Sequence, residues 1–267
     1  MARNIRNDIA AGVLRDGQPL PTTRELAHQW GVSVYTITEA TKLLAREGLI
    51  ISKPRAGRLI HAPDQARRNR IRTGTPHVIL IGGYAGSGKT ELGRILARET
   101  GWPILDKDTL TRPVVEAALE TIGHSPHDRE SDTYLTLIRP REYEALSSAM
   151  TENVQCGISA IVTAPFIREL NDTAWIKRTE ATCQDMNAEL SIIWVYCDAN
   201  TMHTYVRHRG AARDAAKLEN WTAYLSSINL DFRPPVPHTV IDNSASGIPL
   251  QTQARTLLTS VITPDAS

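Results

Sequence analysis

The chain has 267 residues, of which 41% are apolar and 22% charged, so wholesale disorder is excluded and two packed domains are affordable. It has no apolar signal segment and no stretch of about 18 uncharged apolar residues, so we expect a soluble, cytoplasmic protein with no membrane partner. Its three cysteines form no CxxC pair, and we expect ordinary buried thiols rather than a disulfide framework.

The net charge of +1 conceals two opposite parts. Residues 1–72 hold 13 Lys and Arg against 6 Asp and Glu, whereas residues 73–267 hold 17 against 23. A basic head on an acidic body indicates that the head alone meets a polyanion. We therefore predict a first domain over 1–62, a basic linker over 63–76 and a second domain over 77–267.

Two short helices around a glycine are predicted within PTTRELAHQWGVSVYTITEATKLLAREGLI, residues 21–50. Thr22 or Thr23 can cap the first helix, and Gly31 can take the left-handed conformation that ends it. Ser33 can cap the second helix. Its apolar positions recur near helical spacing: Ile37, Ala40, Leu43 and Leu44. This pair is typical of a helix-turn-helix, and LIISKPRAGRLIHA after it reads as the two strands of a wing.

Residues 10–50 resemble the winged helix-turn-helix domain of GntR-type transcription regulators. The chain departs from the family pattern at Val34, where an Arg commonly follows the Ser, and at Arg55, which replaces the first wing glycine. The resemblance implies contacts with a duplex DNA operator, and the alternative is a winged helix used for protein contacts. The candidate phosphate contacts are Arg24, Lys53, Arg55 and Arg58, and the candidate base contacts are Ser33, Tyr35 and Thr36.

The sequence after the linker carries a phosphate-binding loop. HVILIGG reads as a buried parallel strand, GGYAGSGKTEL has the GxxxxGK[ST] spacing, and KTELGRILARETG reads as a helix. Lys89 can neutralise phosphate oxygens, and the Thr90 hydroxyl can hold Mg²⁺. We therefore predict ATP and Mg²⁺ as cofactors. The predicted nucleotide-binding residues are Gly83, Gly86, Ser87, Gly88, Lys89 and Thr90.

The candidate catalytic acids do not follow the strand that usually carries the Walker B carboxylate. The candidate Walker B strand, ISAIVTAPF, ends without a carboxylate, whereas WPILDKDTLTR supplies Asp106 and Asp108. We predict Asp108 as the base that deprotonates an acceptor hydroxyl, with Asp106 as the second candidate. Arg112, one helical turn on, could hold the substrate or the transferred phosphoryl group beside Lys89. The alternative is that Asp108 only caps the next helix.

A lid is predicted between two later strands, SIIWVYCD and HTVIDNS. Arg207, Arg209 and Arg213 surround Gly210 there and could close over the triphosphate. The alternative is an exposed basic helix that pairs with nearby acids.

Residues 77–250 resemble the small P-loop kinases that include gluconate kinase, chloramphenicol phosphotransferase, polynucleotide kinases and zeta toxins. The matching stretches are GGYAGSGKT, LDKDTL, IVTAPF, YCDANTMHTYVRHRGAARD and VIDNS. The resemblance implies an α/β fold with a five-stranded parallel sheet and helices on both faces. It also implies that Asp108 is the base, that lid arginines bind phosphates, and that residues 125–150 hold the acceptor. Arg139, Arg141 and Tyr143 are the candidates there.

Our leading prediction is a GntR-type DNA-binding transcriptional regulator whose second domain binds ATP–Mg and senses or phosphorylates a small polar ligand. One alternative is a small-molecule kinase with a secondary DNA-binding head. Another is a nucleic-acid-end kinase that uses the head as a substrate clamp. A homodimer is expected because winged-helix regulators usually read two half-sites.

Overall fold

The computed structural model describes residues 2, 5, 9, 14–54, 57–61, 74–210 and 214–262, without the side chains of residues 208, 209, 216, 261 and 262. Most of the predicted linker lies outside the described residues, as do Arg55 and Arg213. The chain divides into two compact units, Met1–Gly74 with Gln155–Gly157 and Thr75–Val154 with Ile158–Ser267. In the described ranges, no helix combines the length and apolarity that a membrane crossing requires.

The first unit contains the predicted helix pair and wing. Its elements are α1 (Thr23–Trp30), α2 (Val34–Arg46), β1 (Ile50–Lys53) and β2 (Gly57–Ile60), with the two strands antiparallel. Thr22 caps α1 and forms a reciprocal capping box with Glu25, and Gly31 ends the helix at φ 59°. Ser33 caps α2 through the backbone N–H of Thr36. The sequence-predicted caps are therefore confirmed.

A small apolar core holds this unit together. Its buried residues are Ile5, Ile9, Leu20, Leu26, Ala27, Ile37, Leu44, Ile50 and Ile60. Ile37 and Leu44 lie on the same face of α2, two turns apart, and both are fully buried. Leu43 was predicted on that face, but it is 42% exposed because its neighbour Leu44 takes the inward position.

The second unit is a parallel sheet covered by helices on both faces. Its strands are β3 (His77–Gly82), β4 (Ile104–Asp106), β5 (Ala160–Thr163), β6 (Glu189–Tyr196) and β7 (Thr239–Asp242). Its helices are α3 (Lys89–Thr100), α4 (Lys107–Thr121), α5 (Arg139–Gln155), α6 (Thr173–Asp185), α7 (Ala199–Arg209), α8 (Ala215–Glu219), α9 (Trp221–Ser227) and α10 (Leu250–Ile262). A π-helical turn (Tyr134–Ile138) precedes α5, and a 3₁₀ turn (Glu169–Asn171) precedes α6.

The strand order is β4-β5-β3-β6-β7, and every pair is parallel. Successive residues of β3 point to opposite faces, so Val78 and Leu80 join one apolar core while Ile79 and Ile81 join the other. Burial on both faces explains why HVILIGG is continuously apolar rather than alternating. The predicted five-stranded parallel sheet is confirmed.

The parallel order brings the ends of three strands to one edge. Asp106 pairs in register with Thr163, and Thr163 pairs with Ile81 near the end of β3. The carboxyl ends of parallel strands open onto the same crevice, so the loop after β3 lies beside these two polar side chains.

Candidate functional sites

The loop between β3 and α3 has the backbone that a phosphate cradle needs. Gly86 and Gly88 have positive φ angles of 80° and 96°, which side chains rarely adopt. A Cβ on Gly88 would also collide with the side-chain amide of Asn243. Gly88 is the N-cap residue of α3 and has no side chain to cap the helix, so the first N–H groups of α3 remain for an anion.

Lys89 and Thr90 open α3 and line the same cavity. The Lys89 ammonium donates a 2.8 Å hydrogen bond to the Tyr84 carbonyl, which holds it over the loop. Ser87 Oγ, also in the loop, is buried without a hydrogen-bond partner in the part of the chain that the structure describes. These groups suit a polyphosphate because they combine a cation, a helix start and an unused hydroxyl.

Asp106 lies at the centre of a polar cluster beside this loop. Its Oδ2 accepts hydrogen bonds from Thr90 (2.9 Å) and Thr163 (2.6 Å), which come from α3 and β5. Its Oδ1 caps α4 by accepting from the Thr109 backbone N–H at 3.0 Å. The carboxylate that is missing at the end of β5 is thus supplied by β4. Asp106, rather than Asp108, is the residue that caps the next helix.

The donor set around Asp106 fits Mg²⁺. Mg²⁺ prefers oxygen ligands and commonly uses one or two carboxylates together with phosphates and waters. Asp106 and the Thr90 hydroxyl are donors of this kind. No cluster of three or more His, Cys, Asp or Glu occurs among the described residues, so an all-protein metal cage is absent there.

Asp108 lies in the first turn of α4 and faces the same cavity. Its Oδ1 is 3.0 Å from the ammonium of Lys107, a buried lysine that also donates to Glu142 at 2.8 Å. Glu142 is only 2% exposed and accepts two further hydrogen bonds, from Tyr134 (2.6 Å) and Thr111 (2.8 Å). Burial and the bond to Glu142 raise the pKa of Tyr134, so its hydroxyl stays a donor.

One cavity of about 340 Å³ connects the phosphate loop to the region predicted to hold an acceptor. Arg139 and Tyr143 line it. Both Arg139 terminal nitrogens bind Glu169, at 2.8 and 2.9 Å, and its guanidinium stacks over the Tyr143 ring. Burial raises the pKa of Tyr143, so this phenol is protonated. Arg141 does not line the cavity, because it is 76% exposed and pairs with Glu144.

Two of the predicted phosphate-binding arginines, Arg112 on α4 and Arg207 in the predicted lid, do not line the described cavity. Arg112 is exposed and is not among the residues that line the cavity. Arg207 is also exposed on α7. The Arg209 side chain and Arg213 lie outside the described residues. The segment after them does reach the cavity, through Asp214, Lys217, Tyr224 and Ile228.

Two residues outside the phosphate loop donate hydrogen bonds to its backbone carbonyls, and neither contact was predicted from the sequence. The Asn243 side-chain amide donates a 3.0 Å hydrogen bond to the Ser87 carbonyl, 156 residues away in the chain. The Cys197 thiol donates weakly to the Gly86 carbonyl at 3.6 Å. Burial raises the pKa of Cys197 to about 12. Cys183 is buried too, whereas Cys156 is exposed, contrary to the expectation of three buried thiols.

Several cavity residues escaped the sequence reasoning. They are Lys107, Arg129, Tyr134, Thr163, Arg168 and Lys217. Lys107 lies between Asp106 and Asp108 in LDKDTL. This spacing could have indicated an ion pair between the lysine and a neighbouring carboxylate. Arg129 and Arg168 belong to loops without periodicity, so no local pattern distinguished them from surface arginines.

The first unit presents the predicted DNA-binding residues on its surface. Tyr35 is 74% exposed in the first turn of α2, and Arg24, Ser33 and Thr36 are exposed as well. The Ser33 hydroxyl accepts from the Thr36 N–H and lies 2.8 Å from the Thr36 hydroxyl, which orders the start of this helix. An ordered, exposed helix start is the part of a helix-turn-helix that meets base edges.

The candidate phosphate contacts of the wing lie on both of its strands. Lys53 ends β1 and is exposed, and Arg55 lies outside the described residues. Arg58 is the second residue of β2 and opposes Ser52. Its guanidinium donates to the Thr41 hydroxyl at 3.1 Å, so it ties the wing to α2.

Two family models match the chain. The model described as "AAA domain" matches residues 78–230, which is more than half of the chain. The model described as "Bacterial regulatory proteins, gntR family" matches residues 1–60.

Individual relatives cover one part each. The shikimate kinase of Moorella thermoacetica is 30% identical over 105 residues, which are 38% of this chain and 58% of that protein. The uncharacterized HTH-type transcriptional regulator YdeL of Bacillus subtilis is 40% identical over 55 residues, 21% of this chain and 12% of that protein. The chain therefore spans less than two thirds of either relative.

A solved structure agrees with the fold of the second unit. It is described as a candidate kinase from Chloroflexus aurantiacus, and it aligns with a TM-score of 0.51 at 20% identity. The alignment covers 69% of this chain and 97% of that chain. At this identity the likeness concerns the fold alone.

Proposed function

This chain belongs to the AAA-domain family of P-loop proteins and carries a gntR-type helix-turn-helix region ahead of its kinase-like unit, and we propose that it is a DNA-binding transcriptional regulator controlled by nucleotide and a small polar ligand. The observation that carries the proposal is the shared cavity, in which Lys89 and Thr90 meet Asp108 and the residues around it. Because a DNA-binding head acts on the chromosome, we propose that the protein acts in the cytoplasm.

The nucleotide in this proposal is ATP with Mg²⁺. Lys89 neutralises the β- and γ-phosphates, while the N–H groups at the start of α3 bind their oxygens. Thr90 and Asp106 hold Mg²⁺, which supplies charge neutralisation to the phosphates when bound. Support comes from the 2.9 Å bond between these two side chains, which keeps both oxygens at the phosphate end of the cavity.

The small ligand occupies the part of the cavity between Asp108 and Arg139. Asp108 is partly exposed there and accepts from the buried Lys107 ammonium, which holds the carboxylate in place. A carboxylate at this position can accept the proton of a ligand hydroxyl and orient it toward the γ-phosphate. Tyr134 and Glu142 fix Lys107 from behind, so the group is pre-organised.

A small-molecule kinase is the second candidate. The pairing of Asp108 with a phosphate loop favours it, because sensing alone needs no group that can accept a proton. The two functions differ in whether the phosphoryl group leaves ATP. The nucleic-acid-end kinase has no specific observation in its favour.

The deciding experiment separates transfer from sensing. The full chain is incubated with γ-labelled ATP and a pooled metabolite extract, and a labelled product beyond phosphate is sought. In parallel, affinity for duplex operator DNA is measured with and without ATP–Mg. We expect ATP–Mg to change the affinity for DNA and the change to vanish in Lys89→Ala, which removes the phosphate cation but no core group.

The matched control is Lys177→Ala, an exposed lysine on α6 outside the cavity. It should bind ATP and respond like the wild type. Equal ATP affinity in wild type and Lys89→Ala would refute the nucleotide site. If the affinity for DNA is the same with and without ATP–Mg and a labelled product forms, the kinase is favoured over the regulator.

We propose further that two copies act together, since a palindromic operator presents two half-sites to a winged helix. Light scattering of the full chain with and without DNA measures this. A monomer in both states contradicts it.

A further inference from the structure

Within the proposed ligand site, we infer that the ligand carries an oxyanion, a carboxylate or a phosphate, which Arg129 and Arg168 bind. This inference rests on the proposed function, because it concerns the same cavity. It begins from the charged residues of the cavity lining. The cations are Lys89, Lys107, Arg129, Arg139, Arg168 and Lys217, and the acids are Asp106, Asp108, Glu130 and Asp214.

Most of these cations already have anionic partners. Lys107 lies between Glu142 and Asp108, at 2.8 and 3.0 Å. Both terminal nitrogens of Arg139 bind Glu169. Lys217 lies 3.8 Å from Asp214. Lys89 opens α3 in the phosphate loop, where the nucleotide is its expected partner.

Arg129 and Arg168 differ from these cations in the partners of their guanidinium groups. In the described ranges of the chain, neither has a carboxylate within 4.0 Å of its guanidinium. Arg129 donates instead to the neutral carbonyls of Pro126 and Asp128, at 2.9 and 2.6 Å. The Asp128 carboxylate is occupied elsewhere, since it accepts from the N–H groups of Glu130 and Ser131, both at 3.0 Å.

The contacts of Arg129 orient its guanidinium but do not neutralise its positive charge. Both hydrogen bonds use the single nitrogen Nη1, and a guanidinium has five N–H donors, so several remain. Its carbon lies 5.3 Å from the centre of the Tyr134 ring, which is buried and bonded through its hydroxyl to Glu142. A half-buried arginine held on a rigid ring is pre-organised for an anion.

Arg168 reaches the same cavity from a different direction. It precedes the 3₁₀ turn after β5, whereas Arg129 lies between α4 and the π-helical turn. Two guanidiniums from separate segments can grip one oxyanion through paired N–H donors. Arg168 is exposed and Arg129 is half-buried, so a neutral polyol would leave the Arg129 charge without an anionic partner inside the cavity.

The test uses three ligands that share one six-carbon skeleton: sorbitol, D-gluconate and sorbitol 6-phosphate. Each is titrated calorimetrically into the full chain saturated with a non-hydrolysable ATP analogue and Mg²⁺, so that the phosphate loop is filled. The series is repeated with glycerol, D-glycerate and glycerol 3-phosphate in case the site takes a shorter ligand. We expect at least one charged probe to bind tenfold or more tighter than its neutral parent, and the preferred head group distinguishes carboxylate from phosphate.

The variants decide whether the arginines are responsible. In Arg129→Ala and Arg168→Ala, affinity for the charged probe should fall by about tenfold or more, as expected for lost hydrogen bonds to a charged group. Affinity for the ATP analogue should stay within about twofold. Arg141→Ala is the matched control, because Arg141 comes from the same region but lies outside the cavity.

Three results would overturn the inference: no charged probe binds, the neutral parent binds equally well, or the variants bind like the wild type. Failure of the proposed function looks different, because the wild type would then not bind the ATP analogue. In that case the same probes are titrated into Lys89→Ala, which lacks the loop cation, so that a charged probe does not bind at the phosphate loop. The comparison with the Arg129 and Arg168 variants still tests whether these two arginines bind the probe.

Discussion

The Thr90 hydroxyl donates a 2.9 Å hydrogen bond to Asp106 Oδ2, and the same oxygen accepts from Thr163 at 2.6 Å. Two hydroxyls and a carboxylate from three separate elements therefore converge where the phosphates of a bound nucleotide would end. On the proposed function, the two acids of LDKDTL have different tasks. Asp106 would hold the metal, and Asp108 would orient the ligand.

Asp106→Asn should weaken the Mg²⁺-dependent part of ATP affinity by about 10–100-fold, because an amide is a poor substitute for a carboxylate near the metal. The measurement is ATP affinity with Mg²⁺ and with EDTA. Asp172→Asn is the control, since Asp172 also caps a helix but lies outside the cavity. An unchanged Mg²⁺ effect in Asp106→Asn would leave Asp106 as a helix cap alone.

Asp108→Asn should keep ATP affinity and lose phosphoryl transfer, if transfer occurs. It removes a base and no phosphate ligand, and general bases typically contribute about 10²–10⁴-fold. Single-turnover rates with the labelled acceptor measure the effect. Transfer at the wild-type rate would show that the base is wrongly assigned, and loss of ATP binding would mean that Asp108 acts through the metal.

Asn243→Ala should loosen the phosphate loop. The variant removes the hydrogen bond to the Ser87 carbonyl, worth about 0.5–1.5 kcal/mol, so ATP affinity should fall by up to about tenfold. Asn220→Ala provides the comparison, because Asn220 caps α9 away from the loop. If both variants bind ATP equally well, the amide does not position the loop.

Arg24→Ala with Lys53→Ala should weaken DNA binding of the full chain for all sequences alike. Both side chains are exposed and suit phosphates, so the slope of log affinity against log salt should become shallower by about 2. Arg141→Ala, in the other unit, should leave the slope unchanged. Binding that is insensitive to salt in the wild type contradicts this interface.

The three cysteines should differ sharply in reactivity. Burial raises the pKa of Cys183 to about 11 and that of Cys197 to about 12, so both thiols stay protonated, and unreactive, until the pH rises above those values. Cys156 is exposed. Alkylation at pH 8 followed by peptide mass spectrometry should therefore modify Cys156 alone. Rapid modification of Cys197 would mean that the loop region opens.

The features that could be predicted from the sequence are those carried by neighbouring residues. The caps at Thr22 and Ser33, the turn at Gly31 and the phosphate loop each occupy a few consecutive positions, so their residue types specify them locally. The central strands β3, β5 and β6 could be predicted for a similar reason, because strands buried on both faces are continuously apolar. The family resemblances rested on the same short stretches.

The arrangement of the site could not be predicted from the sequence in this way, because its contacts join residues that are far apart in the chain. Glu142 meets Lys107 from 35 residues away, and Asn243 meets Ser87 from 156. Periodicity can show that such a residue lies on a helix or after a strand, but the packing of the sheet and its helices selects its partner. Arg58 illustrates the same limit: its charge was evident, while its contact with Thr41 followed from the register of β2 and the packing of the wing on α2.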